Sequence, residues 1–254
     1  MRFPVTLDFG PFELSVHALL ELAAYVVGFA LLRREQRRHG DVIGEDARWT
    51  LNVAVIFGAV IGSKLVQWAS DLDGLAQHAG EIGYWLGGKS IVGGLLGGTL
   101  AVEWAKRRHG ITRRTGDALV LPLVVSIAVG RVGCFLSGLA DHTYGVATSL
   151  PWGVDFGDGI ARHPTQLYEI VFLGLLGMVL ARRRTRAWPE GARFDVFLLA
   201  YFAFRLAIDF WKPYPRLPAS IGLAATQWAA LAGIVWRAAW LAHRARGVAE
   251  GVAR

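Results

Sequence analysis

The chain alternates long apolar segments with short polar stretches rich in arginine. The apolar segments fall at about 15–32, 50–69, 91–105, 117–139, 166–181, 195–211 and 220–242. A helix of about 20 apolar residues crosses a bilayer. The segments 91–105 and 166–181 are shorter and borrow flanking residues. The pattern predicts an all-α fold: a polytopic membrane helical bundle of seven transmembrane helices, forming a single integral membrane domain over 1–254. The pairs Gly58/Gly62, Gly93/Gly97 and Gly94/Gly98 have the small-residue spacing that lets membrane helices approach closely. The first segment is read as a retained helix and not a cleaved leader. Its basic cluster, Arg33, Arg34, Arg37 and Arg38, follows the apolar run, and Glu21 interrupts the run.

Charge placement orients this bundle. The chain is 54% hydrophobic and 19% charged, below the roughly 25% charged residues of an average soluble domain. Of its 27 basic residues, nineteen fall in the stretches 33–49, 106–116 and 182–194 and in the tail from Arg237. The opposite side holds Arg2, Lys89, Arg162, Lys212 and Arg216. Short basic loops stay in the cytoplasm, so seven spans place the N-terminus outside and the C-terminus inside. Topology accounts for the net charge of +7, and no nucleic acid partner is expected. The single cysteine, Cys134, excludes an intrachain disulfide.

Three cations remain inside apolar segments: Lys64, Arg131 and Arg205. A charge at the bilayer centre costs at least ~2.5–3.5 kcal/mol, so each needs a partner or a function. Arg205 has Asp209 one turn later, the spacing of a helical salt bridge. Lys64 can snorkel to an interface. Arg131 has no carboxylate three or four residues away and points to an anionic ligand. After it comes an outer loop, 140–165, that carries Asp141, His142, Tyr144, Asp155, Asp158, Arg162 and His163. Pro164 suits the start of the next helix, so His163 stands at a helix N-terminus, where anions are welcome. Glu169, one turn in, is expected to pair with a cation or a hydrogen-bond network. Lys89 follows Gly87-Gly88 and could meet a lipid phosphate. Glu21 lies one turn beyond His17, a pair expected to hydrogen-bond within the bundle. Cys134 is read as a small buried side chain.

Several of these stretches together resemble the bacterial prolipoprotein diacylglyceryl transferases. They are Tyr25-Val26-Val27-Gly28-Phe29, Gly62-Ser63-Lys64, Gly93-Gly94-Leu95, the GRVG at 130–133, Tyr144-Gly145, Pro151-Trp152-Gly153, the RHPTQLYE at 162–169, and the run Tyr201 to Arg205 followed by Asp209. The resemblance covers nearly the whole chain. It implies transfer of a diacylglyceryl group from phosphatidylglycerol to the lipobox cysteine of a preprolipoprotein. The work is done in the bacterial inner membrane, at its outer side, with no cofactor and no metal. It implies reaction roles for Arg131, Arg205 and Tyr201, with His163 and His142 as candidate acid–base groups. Lys64, Lys89, Gly93, Gly94, Gly145, Glu21, Arg162 and Glu169 are expected at the substrate.

The chain departs from the family's pattern at Val92 and Glu21, where the family has histidine and tyrosine. It departs again at Cys134 and Leu139, where the family has asparagine and glutamate, and the stretch 139–143 is rearranged. The thiol's base is therefore open among His163, His142 and Glu21, in that order. The alternative to a transferase is a diverged lipid-binding or accessory membrane protein with the same fold.

Overall fold

The computed structural model describes residues 3–10, 12–39, 44–182, 188–217 and 221–252. The basic residues Arg2, Arg183, Arg184, Arg186 and Arg254, used above to orient the chain, lie outside them. The fold is mostly helical: α1 (Val16–His39), α2 (Glu45–Ala69), α3 (Leu72–Gln77), α4 (Ile82–Leu86), α5 (Ile91–Arg108), α6 (Val120–Ser137), α7 (Thr165–Arg182), α8 (Ala192–Ile208) and α9 (Ala225–Val252). Every apolar segment read from the sequence falls on one of the longer helices. Among the described residues four stretches are long and apolar enough to cross a membrane: Val16–Arg38, Glu45–Ala69, Gly116–Asp141 and Thr165–Arg182.

Two small antiparallel hairpins interrupt the all-α expectation. Strands β1 (Thr6–Phe9) and β2 (Phe12–Ser15) pair Thr6 with Ser15 and Leu7 with Leu14. Strands β3 (Val154–Asp155) and β4 (Ala161–Arg162) pair within the 140–165 loop. Each strand is too short for its alternation to stand out from the chain around it. The signal for the first was the alternation on both sides of Gly10-Pro11, a turn-forming dipeptide.

The chain divides into two compact units. One is Met1–Val42, Arg114–Phe194 and Phe210–Pro213. In it α1 runs antiparallel to α6. Gly28 faces Ser126 at one end, and Gly133 faces His17 and Leu20 at the other. Helix α7 also runs antiparallel to α6, with Gly177 at Val124 and Glu169 at Arg131. Asp117 accepts hydrogen bonds from the backbone N–H groups of Gly191 (2.8 Å) and Phe194 (2.9 Å) and so closes the start of α8. Phe3, Phe135 and Phe156 stack edge to face, with centroids 5.2–5.9 Å apart. The Val5 N–H donates to the Leu136 carbonyl at 2.9 Å, which ties the first hairpin to the end of α6.

The other unit is Ile43–Arg113, Asp195–Asp209 and Tyr214–Arg254. Here α2 and α5 run antiparallel through the glycines expected from their spacing: Gly58 lies on Gly97 and Gly62 on Gly93. A Cβ on any of the four would strike the facing backbone. The Ser90 hydroxyl caps α5 by accepting from the Gly93 N–H at 3.3 Å. Residues Asp195–Ile208 of α8 run antiparallel to α9, with Gly233 at Phe202. Arg237, counted above in a cytoplasmic tail, is instead mid-helix and buried. Its Nε donates to Asp195 at 2.6 Å and its guanidinium covers the Trp240 ring at 4.1 Å. Arg237 lies inside the apolar run 220–242, which is why this charge needs an internal partner.

Candidate functional site

In the first unit the polar residues gather where α6 ends, α7 begins and the 138–164 loop joins them. Arg131 is buried in α6. Its Nε is 2.9 Å from a carboxylate oxygen of Glu169 on α7, which is also buried. The expected absence of a local carboxylate holds; the partner comes from another helix. One helical turn on, Arg131 Nη1 lies 3.7 Å from the Cys134 sulfur. Glu169 thus meets the expectation of a cationic partner.

The loop is braced by hydrogen bonds from the start of α7. Thr165 Oγ1 donates to the Thr143 carbonyl at 2.7 Å, and Gln166 Nε2 donates to Thr143 Oγ1 at 3.2 Å. Thr143 Oγ1 in turn donates to Asp141 Oδ2 at 2.6 Å. Asp141 Oδ1 is 3.8 Å from His17 Nε2, and that nitrogen is 3.9 Å from Glu21. Tyr25 donates to Glu21 at 2.9 Å. His17 and Glu21 are neighbours but stand beyond hydrogen-bond distance, and His17 lies equally near Asp141, a residue the sequence named without a role.

Gly145 is where two backbones touch. Its N–H donates to the His163 carbonyl at 2.9 Å, and a Cβ there would come within 2.6 Å of His163. The His163 N–H donates to Val146 at 3.1 Å, and Val146 donates to Trp211 at 2.7 Å. His163 itself is half-buried two residues before α7, as Pro164 suggested. Its Nδ1 is 3.2 Å from Tyr168 Oη, which also accepts from Trp152 Nε1 at 2.8 Å. Trp152 and Tyr168 were visible only as members of quoted motifs.

His142 is exposed, in a left-handed conformation (φ 52°) that ends a 3₁₀ turn. Arg162 is committed to the loop. It donates to Asp158 at 2.5 Å and to the Ile160 carbonyl at 3.1 Å, and its guanidinium lies 5.2 Å from the centroid of the Tyr144 ring. That hydrogen bond holds the Asp158 carboxyl below its usual range and pushes Arg162 up. Asp155 accepts from three successive backbone N–H groups, Gly157, Asp158 and Gly159.

In the second unit Arg205 is buried with its expected partner. Its Nη2 meets Asp209 Oδ1 at 2.9 Å and Oδ2 at 3.0 Å. Thr226 donates to Asp209 Oδ2 at 2.7 Å, and Arg216 donates to the Asp209 carbonyl at 3.2 Å and to Gln227 at 2.7 Å. Tyr201 is fully buried and stacks on Phe197, with centroids 6.0 Å apart. Lys64 donates to the carbonyls of Leu86, Gly87 and Gly88, using all three donors an ammonium has. Gly93 is a packing glycine against Gly62, and Gly94 lies beside Ala59 and Ser63. Val92 is buried, and Lys89 is exposed just before α5.

A family model described as prolipoprotein diacylglyceryl transferase matches residues 4–243. A protein of Nitratidesulfovibrio vulgaris named phosphatidylglycerol–prolipoprotein diacylglyceryl transferase is 32% identical over 267 aligned positions, covering 98% of this chain and 96% of the relative. Proteins of the same name from Desulfotalea psychrophila and Geobacter sulfurreducens are 30% and 31% identical. The first match covers 84% of this chain and 82% of the relative, and the second covers 82% of each.

Proposed function

We propose how this chain works from the premise that it belongs to the prolipoprotein diacylglyceryl transferase family. It is a membrane transferase of lipoprotein biosynthesis that takes its diacylglyceryl group from phosphatidylglycerol and delivers it to a prolipoprotein. The match over 4–243 carries that assignment. The acceptor, in this proposal, is the lipobox cysteine thiol. Its sulfur forms a bond to the glyceryl carbon while the carbon–oxygen bond to the phosphate breaks. Glycerol phosphate leaves with the electron pair, and the thiol proton passes to a base.

Arg131 is the proposed phosphate donor of the first unit. Glu169 holds its Nε side, and the phosphate oxygen displaces the weak Nη1 contact to Cys134. A bidentate guanidinium suits the charge that develops on the leaving group. An ordinary thiol, with a pKa near ~8.5, is mostly protonated at neutral pH and needs a base. His163 is the first choice. If its Nδ1–H donates to Tyr168, whose oxygen already accepts from Trp152, then Nε2 keeps a lone pair for the proton. His142 is second and Glu21 third. In the second unit, Arg205 and Tyr201 are proposed reaction residues, and Lys89, at the exposed start of α5, is proposed to meet a lipid headgroup.

The proposed arrangement has seven spans in one integral domain of the bacterial inner membrane, with the N-terminus outside. Antiparallel packing of α1 on α6, α6 on α7, α2 on α5 and α8 on α9 supports this alternation. Reporter fusions after Arg38 and Arg108 should read cytoplasm and one near Gly157 should read outside; a cytoplasmic signal at Gly157 would overturn it. Complementation of cells depleted of the endogenous transferase tests the reaction. Growth with lipidated prolipoprotein is expected, and accumulation of the unmodified precursor at normal protein levels would sink the assignment.

A further inference from the structure

We propose that His17, Cys134 and Asp141 form a binding site for a borderline divalent cation, Zn²⁺ foremost. The three come from different elements of the first unit. His17 opens α1, Cys134 is in the last turn of α6, and Asp141 closes the 3₁₀ turn that follows. One ligand atom from each lies within 4.8 Å of the other two. His17 Nε2 and Asp141 Oδ1 are 3.8 Å apart. In a tetrahedral zinc site, with bonds of about 2.0–2.3 Å, neighbouring ligand atoms stand roughly 3.3–3.8 Å apart. A contraction of an ångström or less, within reach of side-chain rotation, closes the trio on an ion.

The donor set selects the metal. Thiolate and imidazole favour zinc over magnesium or calcium, which take oxygen ligands. The charges match as well: thiolate and carboxylate balance a divalent ion, while the nearby Arg131 is balanced by Glu169. Supporting residues are already in place. The Thr143 hydroxyl holds Asp141 Oδ2, and Gln166 holds Thr143, so Oδ1 is the oxygen left toward the imidazole. Such outer contacts are what orient metal ligands. His17 Nδ1 packs against Gly133, the residue before Cys134, which leaves Nε2 as the nitrogen turned toward the carboxylate. Three protein ligands leave the fourth position open to an exchangeable group. The site stands whether or not the chain turns over lipid.

The test uses the full chain in detergent, with Zn²⁺ and Co²⁺ as probes. Because the chain has a single cysteine, any thiol signal reports on Cys134. One Co²⁺ should bind per chain with a thiolate-to-metal charge-transfer band and the strong visible absorption of a tetrahedral ion, and Zn²⁺ should displace it. Zn²⁺ should also slow maleimide labelling of the parent protein. Cys134→Ser should abolish the band, and His17→Gln and Asp141→Asn should each weaken binding by at least about tenfold. The proposal fails if the parent protein shows no thiolate band and no labelling protection. It fails equally if metal uptake is unchanged in all three variants, which would mean adventitious binding elsewhere. The labelling experiment needs no variant, so a misfolded substitution cannot shield the idea.

Discussion

Arg131 meets its carboxylate from another helix, and Arg205 meets its own one turn away. The first pair, Arg131 with Glu169, latches α6 to α7 through a 2.9 Å contact between two buried groups. The second sits in a mesh: Asp209 takes Arg205 on both oxygens, Thr226 on one of them, and Arg216 on its backbone carbonyl. An arriving anion competes with Glu169 at Arg131 and with Asp209 at Arg205. The charge balance of Arg131 depends on tertiary packing, whereas that of Arg205 is largely written into one helix. Buried pairs of this kind need not add net stability, but breaking one is expensive.

The largest expected effect breaks the latch. Glu169→Gln leaves Arg131 buried without its countercharge and should destabilise the protein by roughly 3–5 kcal/mol. Asp209→Asn also removes a buried countercharge, but its amide oxygen keeps Thr226 and its backbone carbonyl keeps Arg216, so the cost should fall at the low end of that range, about 3 kcal/mol. Thermal unfolding in detergent measures both, and equal losses would erase the distinction drawn here. For turnover, Arg131→Ala and Arg205→Ala should both abolish transfer while protein still accumulates in the membrane. Arg131→Lys should not restore the full rate, since a point charge lacks the planar fork.

Next in size is the proton. If His163 is the base, His163→Gln should lower the transfer rate by about 10²–10⁴, with His142→Gln near the parent. The reverse result would move the role to the exposed loop, and a dead Glu21→Gln with both histidine variants active would move it to the carboxylate. The smallest effect lies on an exposed loop. Arg162 holds the exposed Asp158 carboxyl below its usual range. A depressed carboxylate adds stability above its unfolded pKa and loses it as pH falls through the folded one. Acidification should therefore lower the melting temperature slightly more for the parent than for Asp158→Asn. Parallel curves would show that this bridge contributes nothing.

What the sequence made legible was local or periodic. Seven apolar runs became helices because length and composition decide that much. Asp209 was readable as Arg205's partner because four residues of helix make one turn. Gly58, Gly62, Gly93 and Gly97 were readable as a contact because their spacing repeats on one helix face. Partners far along the chain were not readable. Glu169 for Arg131, Asp195 for Arg237 and the Leu86–Gly88 carbonyls for Lys64 each depend on which helices pack together. The family resemblance supplied candidates such as His163 and Gly145. Their surroundings, down to the Trp152–Tyr168 contact, emerge only when the 138–164 loop folds back on the start of α7.

The glycine seam between α2 and α5 also bears on the order in which the chain assembles. Those helices are separated only by the short stretch carrying α3 and α4. They can zip together as soon as α5 is made, without waiting for any later helix. Helix α1 has no such neighbour nearby in the chain. Its partner α6 is synthesised only after α2 through α5, and closing a longer loop carries a higher entropic cost. During biogenesis, then, α1 waits for its partner with Tyr25 and Phe29 exposed, while a later-made hairpin has already folded.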